Sequence, residues 1–165
     1  MKVCLNFKVK AGEHRSTALW RPFFTDSVKF STVFDSSQDF KDESGQINKL
    51  FGFADGCLDH HKSSIRIGYA NERKGWIKLY AYWYDNGIRK FKTIGFAQSG
   101  KEEHFEIRCT RNSYMIYRDN TVVHIASRTP GSRYRYKHFL YPYVGGSNTY
   151  NHTVKYRLCF RKIHF

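Results

Sequence analysis

Three groups of side chains in this sequence have types and spacing that could do chemistry. The first is the run Trp76-Ile77-Lys78-Leu79-Tyr80-Ala81-Tyr82-Trp83-Tyr84. In an extended strand Ile77, Leu79, Ala81 and Trp83 share one face, while Trp76, Lys78, Tyr80, Tyr82 and Tyr84 share the other. A tyrosine ring is an apolar plane with a polar tip, which suits stacking on a sugar ring and bonding its hydroxyls; it also suits ordinary burial under a loop. Lys78 beside the row, and Arg66 if the strand Ile65–Tyr69 is its neighbour, would fit that face for acidic sugars. The second group is Asp59-His60-His61-Lys62. Neighbouring histidines in an extended segment point to opposite sides, so only one of His60 and His61 is expected in a given pocket. Histidine titrates near neutrality without being functional, so a surface or structural role is the simpler expectation for the pair. The third group is Tyr143 and His152, on the loop entering the last strand. They reach the edge that carries His60 only if the two halves of the chain close together, and loop packing is their simpler role. The candidate ligand-binding set is therefore Arg66, Trp76, Lys78, Tyr80, Tyr82, Tyr84, His60, His61 and Tyr143.

The elements that must position these groups are strands. Asn86-Gly87 supplies the positive backbone angles of a two-residue turn, so the tyrosine strand should reverse there and pair with one starting at Ile88. That register brings Arg89 and Phe91 onto the tyrosine face. It also turns Lys90 and Lys92 toward Ile77 and Leu79, so either the turn is longer or the core ends before Ala81. Val3, Leu5, Phe7 and Val9 alternate with polar residues, as do Val154, Tyr156, Leu158 and Phe160. Short strands at Phe105–Cys109, Tyr114–Tyr117 and Val122–Ile125 form a meander. One or two more are expected between Ser16 and Phe40, with polar surface loops at 35–39 and 41–45. No stretch keeps a helical apolar period. About ten strands in a chain of 165 residues favour an all-β, antiparallel two-sheet sandwich, a single domain over 1–165 with first and last strands adjacent. Val3, Leu5, Phe7, Ile65, Ile67, Ile77, Leu79, Ile107, Ile116, Val154, Leu158 and Phe160 should form its core.

Composition narrows the partners without naming one. A formal charge of +14 predicts attraction to polyanions. No acid follows Asp119, whereas Arg128, Arg133, Arg135, Lys137, Lys155, Arg157, Arg161 and Lys162 do, which describes a basic surface in the last third. No apolar run is long enough to cross a bilayer, and Met1-Lys2 leads straight into a strand with no signal peptide, so no membrane association is expected and the location stays open. Cys4, Cys57, Cys109 and Cys159 are widely separated with no CxxC pair, so reduced thiols and no zinc or other metal site are expected, and no cofactor. Cys4 and Cys159 come close if the terminal strands pair.

Several segments resemble an uncharacterised bacterial single-domain family associated with the concanavalin A-like lectin and glucanase sandwich. They are Phe7-Lys8-Val9-Lys10-Ala11-Gly12-Glu13-His14, Ile47 to Phe53, His60 to Tyr69, and Leu140-Tyr141-Pro142-Tyr143-Val144-Gly145-Gly146. Asn151-His152-Thr153 departs from the family's proline-histidine-aspartate run. The resemblance implies a jelly roll whose sheet and loops bind carbohydrate, as the wider superfamily does, with some members cleaving it.

Three function classes follow. The preferred one is a lectin-like module for acidic or complex glycans, with no catalytic residues. The alternative is a polysaccharide lyase acting on an acidic polymer, which needs a cation to neutralise the uronate carboxylate, a histidine or tyrosine to take the C5 proton and a tyrosine to protonate the leaving oxygen. Arg66, His61, Tyr80 and Tyr82 supply those types, but the lyase motifs Tyr-Lys-Ala-Gly and Gln-Ile-His are absent. Glycoside hydrolysis is disfavoured because Glu102, Glu103 and Glu106 lack the Glu-x-Asp-x-x-Glu spacing of sandwich glucanases. Salt-sensitive, sequence-independent nucleic-acid binding is the third class, supported by charge and stacking residues and by no recognition motif.

Overall fold

The computed structural model describes residues 2–15, 22–38, 40–41, 44–56, 59–130, 136–146 and 148–161. Cys57, Arg133, Arg135 and Lys162, together with Leu19 and Trp20 and parts of the two polar loops, lie outside the described residues. The described residues form twelve strands: β1 (Lys2–Val9), β2 (Pro22–Phe23), β3 (Ser27–Val33), β4 (Asn48–Asp55), β5 (Ser63–Arg73), β6 (Trp76–Asp85), β7 (Ile88–Gln98), β8 (Glu102–Cys109), β9 (Ser113–Arg118), β10 (Thr121–Ser127), β11 (Lys137–Leu140) and β12 (Val154–Arg161). A single 3-10 turn at Ser36–Gln38 is the helical structure among the described residues.

The strands form two antiparallel sheets of six, ordered β1-β12-β3-β8-β9-β10 and β2-β11-β4-β5-β6-β7. This is the jelly-roll sandwich. Every pairing is antiparallel, so each strand carries an inward apolar face and an outward face open to loops or solvent. The inward faces meet in an aromatic layer. Phe30 packs edge-on to Phe51 at 5.0 Å, Phe51 to Phe160 at 5.1 Å, and Phe23 stacks on Phe139 at 4.3 Å. Such rings each contribute about 1.5–3 kcal/mol through burial. Eleven of the twelve expected core residues are buried or packed against the core. Val3 is the exception at 46% exposure. Its phase on β1 is right, but β1 is the edge strand of its sheet.

The terminal strands pair along their whole length, with Cys4 opposite Cys159. The two cysteines are joined in a disulfide, which overturns the expectation of reduced thiols: the register places them side by side on neighbouring strands. Cys109 is free and buried.

The basic final third does not form one surface. Arg128 is buried against Asp55, donating from Nε and Nη2 at 2.9 and 2.6 Å, and the same carboxylate accepts from Tyr114 and Ser63. Lys137 is buried and bonds Asp26 at 3.0 Å. Lys155, Arg157 and Arg161 are exposed on the outer face of β12. No helix among the described residues is long and apolar enough to cross a membrane.

The hairpin that organises the second sheet has a two-residue turn, with Asn86 at φ 50° and Gly87 at φ 82°, and pairs Asp85 with Ile88. The anticipated conflict between Lys90 and the core resolves at the sheet edge. Trp83 remains in the core, and Lys90, opposite it, reaches past the edge to bond Asp85 at 2.8 Å and Ser127 of β10 at 3.4 Å.

Candidate functional site

The outer face of the second sheet is built row by row from its registers. Arg66 on β5 stands opposite Tyr82 on β6 and Gly52 on β4, and Tyr82 stands opposite Phe91 on β7. One row along, Ser64, Tyr84 and Arg89 are neighbours. The tyrosines alternate with Ile77, Leu79, Ala81 and Trp83, all buried in the core, so the pleat sorts the strand as its sequence predicts.

Two features shape the floor. At Gly52 a side chain would place its Cβ 2.0 Å from the Ile65 carbonyl oxygen and 2.6 Å from the Arg66 Cα, so glycine is what lets β4 and β5 approach beneath Arg66. A bulge in β4 then re-aims a lysine. Counting back from inward-facing Phe53 and Phe51, strict alternation would send Lys49 into the core. Leu50 is instead an extra residue between the Lys49–Gly68 and Phe51–Ile67 pairs. Leu50 and Phe51 both turn inward, fully buried, and Lys49 returns to the outer face.

The result is a groove of about 500 Å³, lined by Arg66, Tyr82, Tyr84, His60, His61 and Tyr143 and closed by Lys49, Arg89, Arg15 and the segment 139–143. Tyr143 is brought in by a two-way backbone bridge to Lys49, each N–H donating to the other's carbonyl at 2.8 Å. Its ring stacks on His14 at 5.3 Å. The Lys49 ammonium donates to the Gly145 carbonyl at 3.3 Å and lies 5.0 Å and 5.4 Å from the ring centres of Tyr82 and Tyr143.

Both histidines line the groove, contrary to the expectation that only one would. Residues 60–62 form a turn rather than a strand, because the Asp59 carboxylate accepts from the His61 N–H at 2.9 Å and the Asp59 carbonyl from the Lys62 N–H at 3.2 Å. The turn sets the imidazole centres 4.0 Å apart, with His61 edge-on to Tyr84 at 5.0 Å. His152 stays outside, packed between Phe40 and Tyr150.

Trp76, Lys78 and Tyr80 share the tyrosine face but do not line the groove. Lys78, outside the groove, pairs with Glu72 at 3.5 Å. The positive charge comes from Lys49, Arg66, Arg89 and Arg15. Lys49 is the residue that periodicity misses, since only a bulge places it there, and the Asn48-Lys49 pair carries no local sign of one.

The electrostatics of the groove are one-sided. None of the described residues that line it is acidic. Arg66 is 7% exposed, and among the described residues its Nε has no hydrogen-bond partner and no carboxylate pairs with it. Burial pushes its guanidinium down to about 10. Burial, then the charges of Arg66 and Arg89, bring the Lys49 ammonium down to about 8. His60 is pushed down to about 4, mainly by burial and next by Arg66, so it is neutral at pH 7. Tyr82 is raised to about 12 by burial and by its bond with Tyr84, and so keeps its proton.

No family model matches the sequence, and no curated protein sequence matches it. Solved structures do match in shape. The alginate lyase Aly36B superposes with a TM-score of 0.67 at 15% identity, covering 98% of this chain and 82% of that one. The catalytic domain of an endo-1,3-β-glucanase (laminarinase) from Thermotoga petrophila gives 0.59 at 12% identity, over 95% and 76%. A Bacteroides ovatus mixed-linkage glucan GH16 protein, solved in complex with a product, gives 0.56 at 11%, over 96% and 80%. The fold is the concanavalin A-like jelly roll of these proteins, and at such identities the likeness is one of fold.

Proposed function

We propose that the chain binds an acidic polysaccharide, of the uronate-containing kind, in the groove over β4, β5 and β6. The observation that carries this reading is Arg66: a buried guanidinium with no carboxylate partner among the described residues, facing a cleft lined by cations and tyrosines. A buried unpaired charge is costly unless a ligand completes it, and a planar guanidinium matches a carboxylate through two parallel hydrogen bonds. Tyr84 and Tyr143, both part-exposed, supply ring faces for the sugar, while Tyr82, 5% exposed, forms the floor beneath them. The shared fold lends further support, since a variant of Aly36B has been solved in complex with an alginate trisaccharide. The test is titration of the protein with polyuronate. Arg66→Gln is expected to abolish binding, and a neutral glucan should bind neither protein; undiminished polyuronate binding by Arg66→Gln would refute the reading.

One observation favours β-elimination as a second reading. A neutral His60 stands in the same groove as Arg66 and a protonated Tyr82. With Arg66 holding the uronate carboxylate, a histidine could take the C5 proton while a tyrosine gives its own to the departing glycosidic oxygen, leaving a 4,5-unsaturated sugar. Tyr80 has no part in this, as it lies outside the groove, and His60 joins His61 as a candidate base. Ultraviolet absorbance from an unsaturated product, lost in Tyr82→Phe and in one of His60→Ala and His61→Ala, would make the chain a lyase; its absence across a panel of uronate polymers leaves a binding module.

A further inference from the structure

The outer face of the second sheet does not end at the groove. Along β6 and β7 it continues as Tyr80, Lys78 and Trp76, set beside Phe91 and Phe96 by the register Tyr82–Phe91 and Lys78–Phe96. A bulge at Ile94, between the Tyr80–Thr93 and Leu79–Gly95 pairs, keeps Phe96 on the outer face where unbroken alternation from Phe91 would turn it inward. These rings are open: Trp76 is 39% exposed, Phe91 52% and Phe96 46%. An exposed apolar patch on this scale marks a contact surface. It joins the groove directly, because Phe91 is the cross-strand neighbour of Tyr82 and meets Tyr80 edge-on at 6.2 Å. Two cations attend its rings: the Lys78 ammonium lies 5.9 Å from the centre of Tyr80, and the Arg73 guanidinium 5.5 Å from that of Trp76.

We propose that this strip is a stacking track for the same polysaccharide, so that the chain leaves the groove along the direction of β6 and β7 rather than crossing the sheet. The inference rests on the reading of the groove as an acidic-polysaccharide site. Its physical basis is continuity, ring faces and length. Tyr82 and Trp76 are six residues apart on one strand, roughly 20 Å, which is enough for several sugar rings. Aromatic faces stack on the further rings of a chain that Arg66 already anchors, so the track adds affinity for length while Arg66 in the groove reads charge.

Calorimetric titration of the whole protein with an oligouronate trisaccharide and with much longer oligomers tests this. The double variant Trp76→Ala/Phe96→Ala should weaken the long oligomers about tenfold and leave the trisaccharide unchanged, while Arg66→Gln should abolish binding of both. Equal weakening of short and long ligands, or no change in either, overturns the track while leaving the groove standing. Failure of the unmodified protein to bind any oligouronate, or indifference of binding to Arg66→Gln, overturns the groove and the track with it. A change in sedimentation coefficient on making the double variant, with oligomer binding intact, would reassign the strip to self-association and overturn the proposal.

Discussion

At the scale of the residue, the groove trades stability for charge. Arg66 and Lys49 both sit below their ordinary ionisation range because folding removes water from a charge that nothing in the described structure neutralises. Arg66→Met should therefore raise the unfolding free energy, by about 1 kcal/mol or more, while destroying polyuronate binding; denaturant melts of the two proteins measure the first and titration the second. Lys49 gives a pH dependence of known sign. Its ordinary value is 10.5 and its folded value about 8, and a bound polyanion favours the charged form. Affinity should then fall as pH rises through about 8, and Lys49→Arg, which keeps its charge, should flatten that fall. His60 acts on stability in the opposite range. Its folded value of about 4 lies below the ordinary 6.5, so the unfolded chain binds the extra proton between them. The contribution is complete above about 6.5 and lost as pH falls through about 4; His60→Gln should make the melting temperature less sensitive over that interval.

At the scale of the element, the site depends on where strand regularity holds and where it breaks. The hairpin of β6 and β7 was legible because alternation and an Asn-Gly turn are local signals, and Arg89 and Phe91 stand where the two-residue turn puts them. The neighbouring strand was legible in the same way, and Arg66 faces Tyr82 across it. What escaped the sequence was local irregularity and long-range closure. The β4 bulge delivers Lys49 by breaking the period used to find strands, the Asp59 turn brings in both histidines, and Tyr143 arrives across a separation of ninety-four residues. Of the row Trp76 to Tyr84, Tyr82 and Tyr84 line the groove, and Tyr80, Lys78 and Trp76 continue the same face beyond it. Gly52 ties these strands together. Gly52→Ala should cost about 1–3 kcal/mol because the new Cβ meets backbone rather than a movable side chain. The displaced Arg66 should weaken polyuronate binding as well, and a variant as stable as the parent would show that β4 and β5 separate more easily than their spacing implies.

At the scale of the whole molecule, the two sheets divide the work. The second carries the groove on its outer face, and the first closes the chain, with β12 held between β1 and β3 and the disulfide joining Cys4 to Cys159 across 155 residues of sequence. A bond closing so long a loop restricts the unfolded chain most, and such bonds typically stabilise by about 2–4 kcal/mol. Reduction should lower the melting temperature by roughly 5–15 °C, and Cys4→Ser/Cys159→Ser should melt at the temperature of the reduced protein. Because the disulfide and the groove lie on opposite sheets, polyuronate affinity well below the transition should be the same in both forms. An unchanged melting temperature would mean that the hydrogen bonds of β1 and β12 already hold the terminal strands as firmly as the bond does. A loss of affinity on reduction would show instead that the aromatic layer between the sheets, from Phe160 through Phe51 to Phe139, transmits the loosening of the terminal strands to the groove.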